Sequence, residues 1–286
     1  MSEEIFIAGF DYARGGTDLS NANKGDDFSI ATIRMRGDEA QFCHSFRHTG
    51  IRAEQASCII HEQNMKFHYW MIVGDPGGGG LFVRDELRKP LQDDGARRFP
   101  VRPIITKDDL QIAGIGDPIL CLFKRGDPYI DELGLSFPSD AGIVNKAHEI
   151  MKTDLEKLNL KAPKPWPGWG KLGASFDNPD AMRRWLNRQQ LSPMDKVRAE
   201  IDLTMMQLIT VDRETDKEGH PTLDAKGFYS FKSKRKKDAA YSLVYCNFGA
   251  WMYRQFKAKE QKHESDKEKR QFIYAVDDIN VREGLR

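Results

Sequence analysis

The sequence predicts an α/β protein: a mixed β-sheet flanked by helices, with a loop-rich subdomain inserted in it. Three observations predict this. Short apolar runs bounded by turn residues recur over the first hundred positions. The first three runs are joined by short connections, and the later ones by segments of helical periodicity. Two of the runs end in an aspartate, at Asp11 and Asp75.

IFIAGFD (5–11) has the continuous apolar character of a buried strand. A loop rich in Gly, Asn and Asp follows at 14–27. FSIATIRMRG (28–37) alternates and turns at Arg36-Gly37-Asp38, and EAQFCHSFRHTG (39–50) is a third strand. With such short links the three form an antiparallel meander. RAEQASCIIHEQNMKF (52–67) repeats apolar residues at helical spacing, and HYWMIVGD (68–75) is again a strand. GLFVRDELRKPL (80–91) is a helix ended by Pro90, and FPVRPII (99–105) is a fifth strand. Helical crossovers between the later strands make the sheet mixed.

The middle changes character. KAPKPWPGWGKLG (161–173) is rich in Pro, Gly and Trp, with helix-like pieces at 141–159 and 179–190. Trp166 and Trp169 either pack on the core or stack on a base or partner. SPMDKVRAEIDLTMMQLI (192–209) is a helix with an N-cap serine and a proline at its first position. TLDAKGFYSFKS (222–233) is extended, and KKDAAYSLVYCNFGAWMYRQFKAKE (236–260) is a helix with an apolar side. The expected division is a core over 1–106, an insertion or subdomain over 107–192, and the remainder of the core with the C-terminal helix over 193–286.

Bulk properties set the class. The 286 residues suit one core plus a small subdomain, and 40% hydrophobic with 30% charged residues excludes a disordered chain. No run approaches ~18 apolar residues, so no membrane span is expected. MSEEIFIAGFD lacks a signal-peptide pattern, so the expected location is the cytoplasm. The four cysteines form no CxxC pair, and Cys43-His44 and Cys58 with His61 lack a matching second half. Small buried thiols are therefore expected, not a zinc site or disulfides.

A net charge of +1 excludes a polyanion partner argued from the whole chain. The distribution says more. KSKRKK (232–237) contains no acid and abuts Asp238, whereas KAKEQKHESDKEKR (257–270) is mixed in sign and suits a solvated helix face. The run MIVGDPGGGGLFV (71–83) suggests a phosphate cradle, but it lacks the Lys-Ser/Thr of a nucleotide P-loop. The glycines are read as a permissive turn that leaves Asp75 free to act.

The acids carry the chemistry. Asp11 and Asp75 both close apolar strands, and ends of adjacent strands lie about 5 Å apart. That edge is where open α/β sheets bind ligands. Asp238 opens a helix and joins the cluster if its helix starts at the same edge. Clustered carboxylates repel and need a counter-charge. Hard oxygen ligands suit Mg²⁺ or Mn²⁺, and two such ions ~4 Å apart hydrolyse phosphodiesters.

The order of acid-ended strand, two strands, helix, acid-ended strand and late helix-opening Asp resembles the ribonuclease H-like fold. Within it, three stretches resemble the nuclease domain of the large terminase subunit of tailed bacteriophages. They are GFDYARGGTDLSNANKGDDFSIATIRMRG (9–37), VGDPGGGGLFVRDEL (73–87) and KRKKDAAYSLVY (234–245). The resemblance implies a metal-dependent endonuclease that cuts double-stranded DNA during viral packaging. It implies Asp11, Asp75 and Asp238 as catalytic, metal-binding acids, with Asp27 or its neighbour Asp26 as a further ligand. Asp11 would bridge two ions, with Asp75 on one and Asp238 on the other. Arg14 is either a phosphate contact or a surface arginine, and Lys232, Lys234, Arg235, Lys236 and Lys237 would follow the DNA backbone. Implied partners are a terminase ATPase domain, a small terminase subunit and a portal, in the host cytoplasm if the chain is viral.

The chain departs from the pattern in three places, one of them the middle insertion, which has no counterpart in the family. Ala239-Ala240-Tyr241 follow the late Asp where Ala-Leu is frequent, and no GxxxxGK[ST] marks the upstream ATPase domain. An isolated nuclease domain or a stand-alone relative is therefore expected. The competing readings are another ribonuclease H-like nuclease such as a junction resolvase or RNA nuclease, an actin-like nucleotide-binding ATPase, and a non-catalytic module of the same fold. The actin-like class needs two related lobes, and the sequence has no internal repeat. The three intact acids argue against the non-catalytic module.

Overall fold

Strand β1 (Glu4–Tyr12) carries apolar side chains to both of its faces, and it lies inside the sheet. The structure is a computed structural model that describes residues 4–12, 27–74, 79–89, 105–106, 119–122, 140–171, 179–209, 212–213, 216–218, 222, 231–232 and 238–283. After β1 come β2 (Asp27–Arg36), β3 (Glu39–Thr49), α1 (Ala53–Phe67), β4 (Tyr69–Gly74) and α2 (Gly80–Leu87). Then follow β5 (Ile105–Thr106), β6 (Ile119–Leu122), α3 (Asp140–Glu156), β7 (Leu160–Lys161) and a 3-10 turn (Pro167–Lys171). The last elements are α4 (Pro179–Leu186), α5 (Pro193–Ile209), β8 (Asp212–Arg213), β9 (Phe231–Lys232) and α6 (Asp238–Glu283).

Among the described residues the main sheet has the order β5-β6-β4-β1-β2-β3-β7. β1, β2 and β3 form the expected antiparallel meander, and β4 and β6 are parallel to β1. This is the mixed, helix-flanked sheet that the sequence predicts, with β1 at its centre. Two strands of this sheet, β6 beside β4 and β7 beside β3, come from the range 107–192 expected as an insertion. The main sheet therefore does not stop at residue 106. ILCL (119–122) is a short apolar run of the kind a buried parallel strand needs, hidden between polar and glycine-rich stretches.

Alternation along β1 sends Ala8, Phe10 and Tyr12 to one face. There they join Phe28, Ile30, Ile60, Val83 and Leu87, so α1 and α2 cover that side. Ile7, Gly9 and Asp11 point to the other face, which α6 covers over β1. α5 packs on the same face over β3, where Ser45 Oγ and Thr204 Oγ1 share a hydrogen bond of 2.8 Å.

Trp166 and Trp169 are buried with Met182, Leu186, Ala199 and Leu203 in a second small core between the 3-10 turn, α4 and α5. Asp202 accepts from the Trp166 backbone N–H at 2.7 Å and from Trp169 Nε1 at 2.6 Å. Burial pushes the Asp202 carboxyl up, and these two bonds oppose it. The tryptophans are packing residues, and their indole N–H groups are turned inward to acids of α5. Trp166 Nε1 donates to Asp195 Oδ1 at 3.0 Å.

Cys43, Cys58 and Cys246 are free thiols. The chain divides into two compact units, Met1–Ala250 and Trp251–Arg286. The second consists of the C-terminal part of α6, longer than the expected helix end at 260 because no Gly or Pro interrupts 250–283. Within it Lys257 Nζ stands 5.8 Å over the Tyr253 ring, and Lys259, Gln261 and Lys262 are exposed, as a solvated face requires. None of the described helices is long and apolar enough to cross a membrane.

Candidate active site

Gly9 decides how α6 meets the sheet. A Cβ at Gly9 would run into the backbone of Ser242 and Cys246, so helix backbone lies directly on strand backbone there. Cys246 Sγ donates to the Ile7 carbonyl at 3.1 Å. One turn further, a Cβ on Gly249 would stand 2.8 Å from Ile7 Cγ2 and 2.9 Å from Val73 Cγ2. The helix therefore runs antiparallel to β1, with its N-terminus at the carboxyl end of that strand.

At that end Asp11 stands opposite Ser29 of β2 in the antiparallel register. Ser29 is fully buried, and its Oγ donates to the Asp238 carbonyl at 2.6 Å. Directly opposed residues share a face, so Asp11, Ser29 and the first residue of α6 meet on one side of the sheet. Both aspartates are half-buried. The N-terminus of a helix favours a carboxylate in its first turn, which suits Asp238. α3 braces the same helix: Asn247 Nδ2 donates to the buried Asp154 Oδ2 at 2.9 Å, and His148 meets Tyr241 edge-on at 5.2 Å.

β4 approaches from the other side of β1. Gly74 pairs with Phe10, and the Phe10 ring occupies the space a Cβ at 74 would need. Asp75 is the next residue in the chain but lies outside the described residues, as do Pro76, Gly77 and Gly78. Gly79 takes φ 129°, a conformation closed to most side chains, and its carbonyl accepts the Phe82 N–H at 2.9 Å to start α2. At its described end the glycine run is thus a permissive turn.

The expected site residues fall into three groups. Asp11 and Asp238 are brought together at one sheet edge. Asp27 opens β2 opposite Thr49 and Lys232 ends β9, each placed by its backbone alone. Asp75, Asp26, Arg14, Lys234, Arg235, Lys236 and Lys237 lie outside the described residues. Among the described residues no three His, Cys, Asp or Glu side chains converge as a metal cluster would require. The donor chemistry that is described, two hard carboxylates at one edge of the sheet, fits a divalent ion.

No family model matches the chain, and no curated protein matches it. Solved structures do. The likeness is to large-terminase nucleases of bacteriophages. The magnesium-bound large terminase nuclease of thermophilic phage G20c has TM-score 0.45 at 10% identity, covering 86% of this chain and 81% of that one. The nuclease domain of the large terminase subunit gp2 of bacterial virus Sf6 has TM-score 0.42 at 9% identity, covering 86% and 89%. The manganese-bound nuclease domain of the bacteriophage SPP1 large terminase has TM-score 0.35 at 11% identity, covering 85% and 84%.

Ser29 and Gly9, which set the geometry, are not among the expected site residues. Gly9 had a signal: a glycine inside a central apolar strand marks a close approach of another backbone. Ser29 had none, since a serine one place into an alternating strand is unremarkable.

Proposed function

We propose that the chain is a divalent-metal-dependent endonuclease that cuts double-stranded DNA, of the kind that trims packaged viral genomes. One observation carries this reading. Ser29 sits opposite Asp11 and holds the Asp238 carbonyl, so acids from the two ends of the fold share one sheet edge. Asp75, one peptide bond beyond a residue paired with Phe10, is the third acid.

Two Mg²⁺ or Mn²⁺ ions would supply an activated water and charge stabilisation for the leaving oxygen. Asp11, Asp75 and Asp238 would hold them, with Asp27 as a further ligand. The protein's own part is positional. β1 and α6 are fixed against each other backbone to backbone, so the carboxylates are held before substrate arrives. Lys232, Lys234, Arg235, Lys236 and Lys237 lead in sequence straight into Asp238 and would hold phosphates without reading bases. Arg14, three residues past Asp11, would touch a flanking phosphate. An ATPase domain, a small terminase subunit and a portal are the partners this reading implies, in the cytoplasm of an infected cell.

The test is digestion of linear duplex, with four-way junction and RNA–DNA hybrid as parallel substrates, in Mg²⁺, Mn²⁺ or EDTA. Duplex cutting that needs metal and is lost in Asp75→Ala and in Asp238→Ala is the expected result. Metal-independent cutting, or unchanged activity in both variants, sinks the reading. Preference for the junction or hybrid would move the substrate while leaving the chemistry.

A further inference from the structure

Helix α6 is clamped from two sides. Ser242, Cys246 and Gly249 lie against the sheet. Asn247 leaves the helix in another direction and is fully buried against α3. There its Nδ2 donates to Asp154 Oδ2, and Asp154 is itself only 4% exposed. His148 and Tyr241 make a second contact between the same two helices. The contacts stand six residues apart on each helix and in the same order, so α3 and α6 run parallel, in register over about 9 Å.

A buried carboxylate is costly unless its oxygens are hydrogen-bonded. Near the C-terminus of α3 it also opposes the helix dipole. Nothing in α3 alone therefore calls for an acid at 154. Its use is as a link. Asp154 Oδ1 accepts from Asn159 Nδ2 at 3.1 Å, and the Asp154 carbonyl accepts the Asn159 N–H at 2.8 Å. Leu158, between them, takes φ 56°, and its N–H donates to the Leu155 carbonyl at 3.2 Å. These are the bonds of a Schellman helix end, with leucine where glycine is usual. The Asn159 carbonyl accepts the Ala40 N–H at 3.4 Å, and Leu160 pairs with Ala40. One carboxylate thus ties α6 to a turn that is anchored on β3.

We infer that Asp154, acting through Asn247, is a positioning residue for the acid at the start of α6. The inference rests on the nuclease reading and deepens it. The contact at Gly9 sets how closely helix and strand approach, but backbone resting on backbone has little direction. The Asp154–Asn247 bond is directional. It fixes the rotation and height of α6, and through them where the Asp238 carboxylate points. The segment 140–161, from the range expected as an insertion, then frames the site.

The experiment follows cutting of linear duplex by the full chain across a manganese titration, with urea unfolding in parallel. Asn247→Asp sets two carboxylates face to face. It is expected to cut roughly tenfold slower at saturating DNA and to need about tenfold more manganese, with KM for duplex unchanged. The exchanged pair, Asp154→Asn with Asn247→Asp, rebuilds a bond between one amide and one carboxylate. It is expected to bring both values back to within about threefold of wild type. Lys152→Ala, at an exposed lysine of α3, is expected to behave as wild type. Asn247→Ser removes the bond without adding charge, so it keeps the test decisive if Asn247→Asp does not fold. Reduced stability in Asn247→Ser, with the saturated rate and the manganese requirement unchanged, overturns the positioning role and leaves the nuclease standing. An exchanged pair that regains stability but not cutting does the same. If the wild type does not cut duplex in metal, the nuclease reading falls and takes this one with it.

Discussion

Ser29 Oγ donates to the backbone carbonyl of Asp238 at 2.6 Å, tying the first residue of α6 to the strand that faces Asp11. The bond is to main chain and does not consume the carboxylate. Ser29→Ala removes it without adding bulk. The expected cost is about 1 kcal/mol of stability, with a roughly ten- to hundredfold slower cut because the carboxylates lose register. Restored activity at high metal concentration, with stability still reduced, would support a positioning role. A variant that cuts at the wild-type rate at all metal concentrations would refute it.

Gly9→Ala places a methyl group against the backbone of Ser242 and Cys246, where no side chain can swing away. The expected loss reaches the ~3 kcal/mol upper end of ordinary overpacking, measured by urea unfolding. Gly249→Ala meets only the Ile7 and Val73 methyl groups and should cost less. Equal costs at the two sites would contradict the backbone contact.

Burial, with the Lys66 ammonium adding to it, holds the His44 imidazole down to about 4 from its ordinary 6.5. The folded state therefore prefers the neutral ring, whereas the unfolded chain takes up a proton below about pH 6.5. Stability from this group is complete above pH 6.5 and is lost as pH falls toward 4, by about 3 kcal/mol in all. His44→Leu should flatten that part of the stability curve, leaving the acid loss due to carboxylates. Parallel curves for the two proteins would discount the effect.

Burial pushes the Cys43 thiol up to about 12 and raises the fully buried Cys246 as well. At mildly alkaline pH the Cys43 thiolate is about a thousandfold scarcer than for an ordinary cysteine. Alkylation mapped by mass spectrometry should label both residues only after unfolding. Rapid labelling of Cys43 in the folded protein would show that the strand is open there.

The meander, both early helices and the helix opening at Asp238 were legible because each carries a strong local signal. Period-2 and period-3.6 patterns stand between turn residues, and Ser192 and Pro193 mark the start of α5. The two-residue strands β5, β7, β8 and β9 have too few residues to show any period, and their pairing depends on partners far along the chain. The convergence of Asp11 and Asp238 was readable as a possibility from strand and helix ends. The contact that enforces it was not. It depends on a glycine admitting a helix backbone and on a serine hydroxyl reaching a carbonyl, and both are facts of three-dimensional register. The Trp pair was ambiguous for the same reason, since only the fold reveals that Asp195 and Asp202 wait inside for the indole N–H groups.

The contact at Gly9 also acts as a common origin from which two lengths are measured. Asp11 lies two strand residues past it, about 6.6 Å at strand rise. Asp238 lies four helical residues before Ser242, about 6 Å at helix rise. The two carboxylate-bearing residues are thus set off by nearly equal distances from one shared point. Inserting or deleting a single residue between 9 and 11, or between 238 and 242, would put the two lengths out of step. Sequence drift elsewhere in β1 or α6 leaves them matched. The spacing of these four positions, more than the identity of their neighbours, is what a working descendant of this chain has to inherit.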